Sequence, residues 1–277
     1  MTTTTHTLDA SPASGAGSSW VPGGRLLRAE FLKLTRRRGL MIATVTMTVG
    51  AVIAYFAVAA GLHAASPGQY GPAGGSRSLT HIVFLLGELG AVAAILVGAS
   101  AGAADVTSGV FRNLVTTGRS RVALYLARIP AGLGVTAAVM AVAYALSAAC
   151  SVLFAGQLPA PPAHLIIAGG AWLLLNAALA FLLGLGLSAL IGSQSTTIAV
   201  LLALTIVVTP LVASVSALPD IRQALPGIAL YQLQPSALGG IGVRGLTMTT
   251  TAIAVVLTAW AVLAMSAGIW RTVTRDS

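Results

Sequence analysis

The chain has 277 residues, of which 56% are hydrophobic and only 8% are charged, and its mean hydropathy is +0.91. Soluble domains carry roughly 25% charged residues, so this composition excludes a water-soluble globule and predicts a membrane protein. The formal net charge is +9, but the basic residues flank the apolar runs, and no basic patch is interleaved with aromatic residues. The charge therefore does not predict a nucleic-acid partner.

The N-terminal segment changes character near residue 25. Residues 1–24 are rich in Thr, Ser, Gly and Ala without periodicity, which predicts a disordered cytoplasmic tail. In the next stretch Leu27, Phe31 and Leu34 recur at helical spacing and share one face. This pattern predicts an amphipathic helix in the headgroup layer, with its arginines toward anionic membrane lipids. The alternative is a charged anchor for the first span.

Residues 25–277 are predicted to form one all-α, polytopic transmembrane domain. A span needs about 20 apolar residues, and six stretches qualify. Only Gly192-Ser193-Gln194-Ser195 separates the fourth from the fifth, which predicts a tight turn, because a merged helix would be too long for a bilayer. The predicted spans are 39–62, 82–104, 123–154, 163–191, 196–217 and 247–270.

The basic residues predict the orientation of the chain, since cytoplasmic loops are enriched in arginine and lysine. With the N-terminus inside, twelve basic residues face the cytoplasm and three face outward, so both termini are predicted to be cytoplasmic. The inner set is Arg25, Arg28, Lys33, Arg36, Arg37, Arg38, Arg112, Arg119, Arg121, Arg128, Arg271 and Arg275, and the outer set is Arg77, Arg222 and Arg244.

The loop between the fifth and sixth spans, from Leu218 to Gly245, combines apolar stretches with Pro219, Pro226 and Pro235. It is predicted to dip into the outer leaflet as short helices. Fourteen of the fifteen basic residues are arginine, and Ala and Gly are abundant, which indicates a GC-rich bacterial genome. The predicted location of the chain is the bacterial plasma membrane.

The loop after the second span carries the most informative pattern. Residues 105–121 are too polar to cross a membrane and read as a short amphipathic helix with an apolar and a basic side. Asp105 precedes this helix and is placed to cap its first turn. The residues of interest are Asp105, Gly109, Phe111, Arg112, Leu114, Arg119 and Arg121.

These features resemble the permeases of type-2 ABC exporters. The resemblance rests on an acidic residue followed by Gly109-Val110-Phe111-Arg112-Asn113-Leu114, on the amphipathic segment 28–34 before the first span, and on six spans with both ends inside. It covers residues 25–277.

The resemblance implies a division of labour between subunits. A separate ABC ATPase would hydrolyse ATP, the loop 105–121 would be the coupling helix that docks on it, and the preceding helix, with Arg28, Glu30, Phe31 and Lys33, would brace that loop. The permease would act as a homodimer or as a heterodimer with a second permease. The alternative for the loop is a solvated connection whose arginines only set the topology.

The chain itself is not predicted to be an enzyme. Its single lysine, Lys33, follows Leu32 rather than the glycine that a Walker A motif requires. Gly98-Ala99-Ser100-Ala101-Gly102 matches a nucleophile-elbow pattern but lies inside a span, where close helix packing explains it better. The only cysteine, Cys150, allows no internal disulfide, and no spacing of His and Cys predicts a metal or a cofactor.

Two polar residues inside the predicted spans are candidates for a translocation path. Glu88 lies about a third of the way into the second span, where an ionised carboxylate is costly, and His81 lies on the same face as a potential partner. Asn176 lies in the fourth span and is predicted to form an interhelical hydrogen bond, worth roughly 1 kcal/mol. For Glu88 the alternatives are a group lining the substrate path, a proton sensor and a structural hydrogen bond.

A row of small residues at i, i+4 spacing marks the fourth span. Ala180, Gly184, Ser188 and Gly192 allow another helix to approach closely, and packing within the subunit is favoured over packing across a dimer. Two other functions stay open: a secondary transporter driven by an ion gradient, which would use intramembrane acids such as Glu88, and a non-transporting scaffold or sensor subunit.

Overall fold

The computed structural model describes residues 23–107, 121–215, 219–238 and 246–274. These residues are mostly helical and contain no strand, and six of their helices are long and apolar enough to cross a membrane. The predicted all-α, polytopic fold is therefore confirmed. The predicted tail lies outside the described residues, except that Gly23 and Gly24 begin the first helix.

Nine helices make up the described part of the chain. Six of them, α2 to α6 and α9, are the candidate spans, and a 3₁₀ turn at Ser236–Leu238 follows α8. The helices are α1 (Gly23–Thr35), α2 (Arg38–Ala65), α3 (Ser76–Thr107), α4 (Arg121–Leu153), α5 (Ala163–Ile191), α6 (Gln194–Ser214), α7 (Pro219–Ala224), α8 (Pro226–Leu233) and α9 (Thr250–Thr274).

The observed helices follow the predicted spans closely, and the largest difference is at the start of the second span. Helix α3 begins at Ser76, six residues before the predicted boundary at 82. Hydropathy misses this first turn because it is polar, yet its hydroxyl groups bond to backbone carbonyls, Ser78 to Gly74 at 3.1 Å and Thr80 to Ser76 at 3.1 Å. The fourth span matches its prediction of 163–191 at both ends.

The predicted tight turn joins α5 to α6 through Gly192 and Ser193. Gly192 adopts a φ of 79°, which disfavours residues with a Cβ, and its N–H bonds to the carbonyl of Ser188 at 2.8 Å. The Ser193 hydroxyl caps α6 by accepting from the Thr196 N–H at 3.4 Å. The turn leaves α5 and α6 as two antiparallel helices.

Helices α3 and α5 form the centre of the bundle and pack closely through glycine. A Cβ on Gly98 would collide with the carbonyl of Phe181, and one on Gly184 would lie 2.9 Å from the carbonyl oxygen of Ile95. Ser188 faces Gly102 in the same contact. The small residues of α5 therefore pack within the chain, as the sequence favoured, around buried side chains such as Phe181.

The chain ends of the helices define two faces of the bundle. The arginine-rich end is the face that carries Arg36, Arg37, Arg38 and the first residue of α4, Arg121; α3 ends there and α6 starts there. Helix α1 lies at this end and packs on α4, with Leu34 buried and Leu27 and Phe31 exposed. This arrangement leaves an apolar strip of α1 uncovered, as an interfacial helix requires.

Helices α7 and α8 and the 3₁₀ turn lie at the opposite face, and together they are the folded-back segment (219–238). The prediction of short helices in this loop is confirmed. Pro226, Ile228, Ala229 and Leu230 are buried, and α8 packs against α5, α6 and α9. The segment thus occupies space between the spans.

Candidate functional site

A cavity lies between the spans and the folded-back segment. Four helices line it, each with four or five residues, and the lining mixes leucines with a few polar groups. The lining residues are Gly87, Glu88, Ala91 and Ile95 of α3; Trp172, Asn176, Leu179, Ala180 and Leu183 of α5; Leu201, Leu204, Thr205 and Thr209 of α6; and Pro226, Gly227, Leu230 and Tyr231 of α8.

The hydrogen bond between Tyr231 and Glu88 closes one side of the cavity. The Tyr231 hydroxyl donates to Glu88 Oε1 at 2.7 Å. Burial, together with the hydrogen bond to Glu88, raises the pKa of Tyr231 far above its ordinary value of 10. The phenol therefore keeps its proton and remains a donor at neutral pH.

The suggested pairing of Glu88 with His81 is wrong. His81 Nδ1 lies 3.3 Å from the hydroxyl of Tyr55 on α2. Residues seven apart on a helix share a face, but they are separated by about 10 Å along the axis, which is too far for their side chains to bond. The partner of Glu88 comes instead from a residue 143 positions further along the chain.

Two further bonds join α3, α5 and α8 around the cavity. Asn176 Nδ2 donates to the carbonyl of Gly87 at 2.8 Å, which is the interhelical hydrogen bond that the sequence predicted. The Trp172 indole N–H donates to the carbonyl of Leu230 at 2.8 Å. The two predicted path residues, Glu88 and Asn176, thus line the same cavity.

Helix α6 contributes the most irregular wall. Residues Ala203–Val208 are π-helical, and the hydroxyl of Thr209 donates to the carbonyl of Leu204, five residues earlier, at 2.8 Å. Such bulges are frequent at functional sites. The bulge coincides with the part of α6 that faces the cavity.

A second polar cluster lies at the arginine-rich end, around Ser100 and Ala101 of α3. Arg128 Nη1 donates to the carbonyl of Ala101 at 3.2 Å, and Arg37 Nη1 lies 3.5 Å from the carbonyl of Ser100. Gln194 Nε2 donates to the Ser100 hydroxyl at 2.8 Å. The cluster joins α4, α6 and the residue that precedes α2 to α3, shortly before α3 ends at Thr107.

The predicted coupling residues are only partly described. Asp105 lies inside α3, which continues to Thr107, rather than in front of a helix as predicted, and Arg121 begins α4. Gly109, Phe111, Arg112, Leu114 and Arg119 lie outside the described residues. On α1, Arg28 and Phe31 are exposed, and Lys33 lies 3.9 Å from Glu30, one turn earlier.

Several residues of these two sites were missed by the sequence analysis. Arg37 and Arg128 were read only as topology signals, although Arg128 is buried. Tyr231 and Trp172 gave no sequence signal, because nothing in the local pattern relates α8 to α3. A buried arginine is rare without partners, so the position of Arg128 inside an otherwise apolar run was the one clue available.

The comparison with protein families decides the class. A family model described as "ABC-2 family transporter protein" matches residues 26–212, about two thirds of the chain. The chain belongs to this family. The match spans α1 to α6, including the cluster at Ser100 and three of the four walls of the cavity, and ends before α8.

As an ABC-2 family protein, the chain is a multi-pass membrane component of a transporter. A search of the curated proteins found no match. The family assigns a transport function to the matched region, which holds five of the six candidate spans, and the family component is not itself catalytic.

Proposed function

We propose that this chain is the permease subunit of an ATP-driven ABC exporter in a bacterial plasma membrane. The membership in the ABC-2 family carries the proposal. In this proposal two permeases, identical or related, pair in the membrane and bind two separate ATPase subunits, and cargo passes between the permeases by alternating access.

The connector, residues 105–121, transmits the motion of the ATPase in this proposal. It joins the ends of α3 and α4 at the arginine-rich end. A displacement of the connector acts directly on α3 and α4. The hydrogen bonds from Arg128 and Arg37 to the carbonyls of Ala101 and Ser100 also couple α3 to α4 and to the start of α2. Packed helices move as rigid bodies, so this polar cluster can transmit the displacement from one helix to the next.

Helix α1 supports the connector from the side. It packs on α4, which starts where the connector ends, and its exposed Leu27 and Phe31 suit contact with lipid. The proposal places both termini and the connector in the cytoplasm, because twelve of the fifteen basic residues then face inward.

A charge-reversal experiment tests the coupling. The variant Arg112→Glu/Arg119→Glu places two acids on the basic side of the connector, and the tagged full chain is purified from its native membrane. We expect the co-purifying ATPase activity to fall about tenfold or more, since reversing charges at an interface costs several kcal/mol. The matched control, Arg77→Glu/Arg244→Glu, makes the same charge change at two positions predicted to face outward, of which Arg77 is exposed in the first turn of α3.

An ATPase yield that is unchanged by the connector variant, or lowered equally by the control, would contradict the coupling role. Transport of cargo by the purified chain with an ion gradient and no ATPase would instead support the secondary transporter. That alternative draws on Glu88, a carboxyl group that lines the cavity.

A further inference from the structure

The cavity under the folded-back segment offers a ligand more hydrogen-bond acceptors than donors. Its hydroxyl and indole donors are all engaged with acceptors in the protein, either backbone carbonyls or Glu88. These donors belong to Trp172, Thr205, Thr209 and Tyr231. A ligand that enters the cavity therefore meets few side-chain donors.

The acceptors that remain point to the kind of ligand. Among the described residues, Tyr231 bonds to Oε1 of Glu88 and none donates to Oε2. Asn176 is oriented by the carbonyl of Gly87, which can only accept, so its nitrogen must face that carbonyl. Its Oδ1 atom then accepts no bond from the described residues, and the cavity offers two unused acceptors.

The charge and shape of the lining favour the same kind of ligand as its free acceptors do. Glu88 supplies the carboxyl group of the lining, and no basic side chain occurs among the described residues that line the cavity. Trp172 and Tyr231 add two aromatic rings to the lining, and the face of an aromatic ring attracts cations. Leu179, Leu183, Leu201 and Leu204 provide an apolar wall beside these groups.

We propose that this cavity binds the protonated amine of an amphiphilic molecule. The ammonium group donates to Glu88 Oε2 and Asn176 Oδ1, and the hydrocarbon body lies along the leucines of α5 and α6. Alkylamines are protonated at neutral pH, as lysine is. The inference that the amine is transported cargo rests on the proposed function, whereas the inference that the cavity binds the amine does not.

The test is a binding measurement on the full chain, purified without an ATPase and placed in nanodiscs of zwitterionic phosphatidylcholine. Radiolabelled dodecylamine, dodecanol and dodecanoate are compared after subtracting their uptake by empty nanodiscs. We expect the amine to bind most tightly. The variant Glu88→Gln should weaken amine binding about 10- to 100-fold, the range for losing a hydrogen bond to a charged group.

Two features of the design isolate the carboxyl charge. The amide oxygen of Gln at position 88 can still accept from Tyr231, so the folded-back segment keeps its anchor. The control Asp9→Asn removes one acid from the N-terminal segment and should leave amine binding unchanged. If the Glu88→Gln variant fails to fold, the ranking of the three ligands on the native chain decides the question.

Equal binding of the amine by the native chain and the Glu88→Gln variant would overturn this inference, and so would dodecanol or dodecanoate binding as tightly as the amine. Amine binding is measured without an ATPase, so a failed coupling experiment does not affect it. Conversely, an absent amine site beside a co-purifying ATPase would leave the proposed exporter standing.

Discussion

At the residue scale, Glu88 shows how a carboxyl group is accommodated inside an apolar bundle. Burying a polar group without a partner is costly in a membrane, and the Tyr231 hydroxyl at 2.7 Å meets part of that cost. The same bond fixes α8 against α3. One side chain from the folded-back segment thus both bonds to one carboxylate oxygen of Glu88 and closes the cavity.

Replacing Tyr231 by Phe removes this donor and keeps the ring. We expect the free energy of unfolding in detergent to fall by about 1–2 kcal/mol, the upper range for hydrogen bonds between membrane helices. Tyr70→Phe, which removes an exposed hydroxyl, should have no effect. A double-mutant cycle of Tyr231→Phe with Glu88→Gln isolates the pair; equal losses for Tyr231→Phe and Tyr70→Phe would show that the bond contributes nothing.

The sequence identified the residues of this site that are energetically unfavourable inside a membrane, but not their bonding partners. Glu88 and Asn176 stood out because polar side chains in a span need an explanation. Their bonding partners, Tyr231 and the backbone of Gly87, could not be inferred, because the pairs are 143 and 89 positions apart. Local patterns carry no information on which distant segments meet.

At the element scale, the contact between α3 and α5 depends on the absence of side chains. Gly98 lies against the backbone of Phe181, and backbone cannot move aside as a flexible side chain can. Small residues allow helices in membranes to approach closely and gain van der Waals contact. Hydropathy and residue size predicted the spans and the close packing of their small residues, because both are properties of a single helix, but they did not predict that α3 and α5 are partners.

A pair of glycine substitutions tests this contact. Gly98→Ala forces α3 and α5 apart, and we expect it to lower the free energy of unfolding by about 1–3 kcal/mol, as overpacking does. Gly134→Ala is the matched control, since its Cβ would meet nothing within 4 Å, and alanine in an open helical position stabilises by roughly 0.5–1 kcal/mol. Equal unfolding free energies for the two variants would contradict the close packing.

At the scale of the whole molecule, α3 connects the two polar regions. The cluster at Ser100 and Ala101 and the cavity at Glu88 lie on the same helix, about 18 Å apart along its axis. Arg37, Arg128 and Gln194 hold the first region, and Tyr231 holds the second. A shift of α3 driven from the connector therefore reaches the cavity without a further linkage.

This arrangement places the proposed motor contact and the proposed amine site at different depths of one bundle. The connector bears the basic residues, and the cavity bears the carboxyl group of Glu88. An ATPase on the arginine-rich side and a ligand near the folded-back segment would then act on α3 from its two halves. A motor contact at the connector requires that the connector faces the cytoplasm.

The most direct test is the side of the membrane on which the connector lies. Cys150 is first replaced by Ala, and a single cysteine is then introduced by Ser108→Cys in the connector or by Ser236→Cys in the folded-back segment, where Ser236 is exposed. A membrane-impermeant maleimide is applied to right-side-out and inside-out vesicles. We predict labelling of the Ser108→Cys variant only in inside-out vesicles and of the Ser236→Cys variant only in right-side-out vesicles; labelling of the Ser108→Cys variant from the outer side would contradict the account.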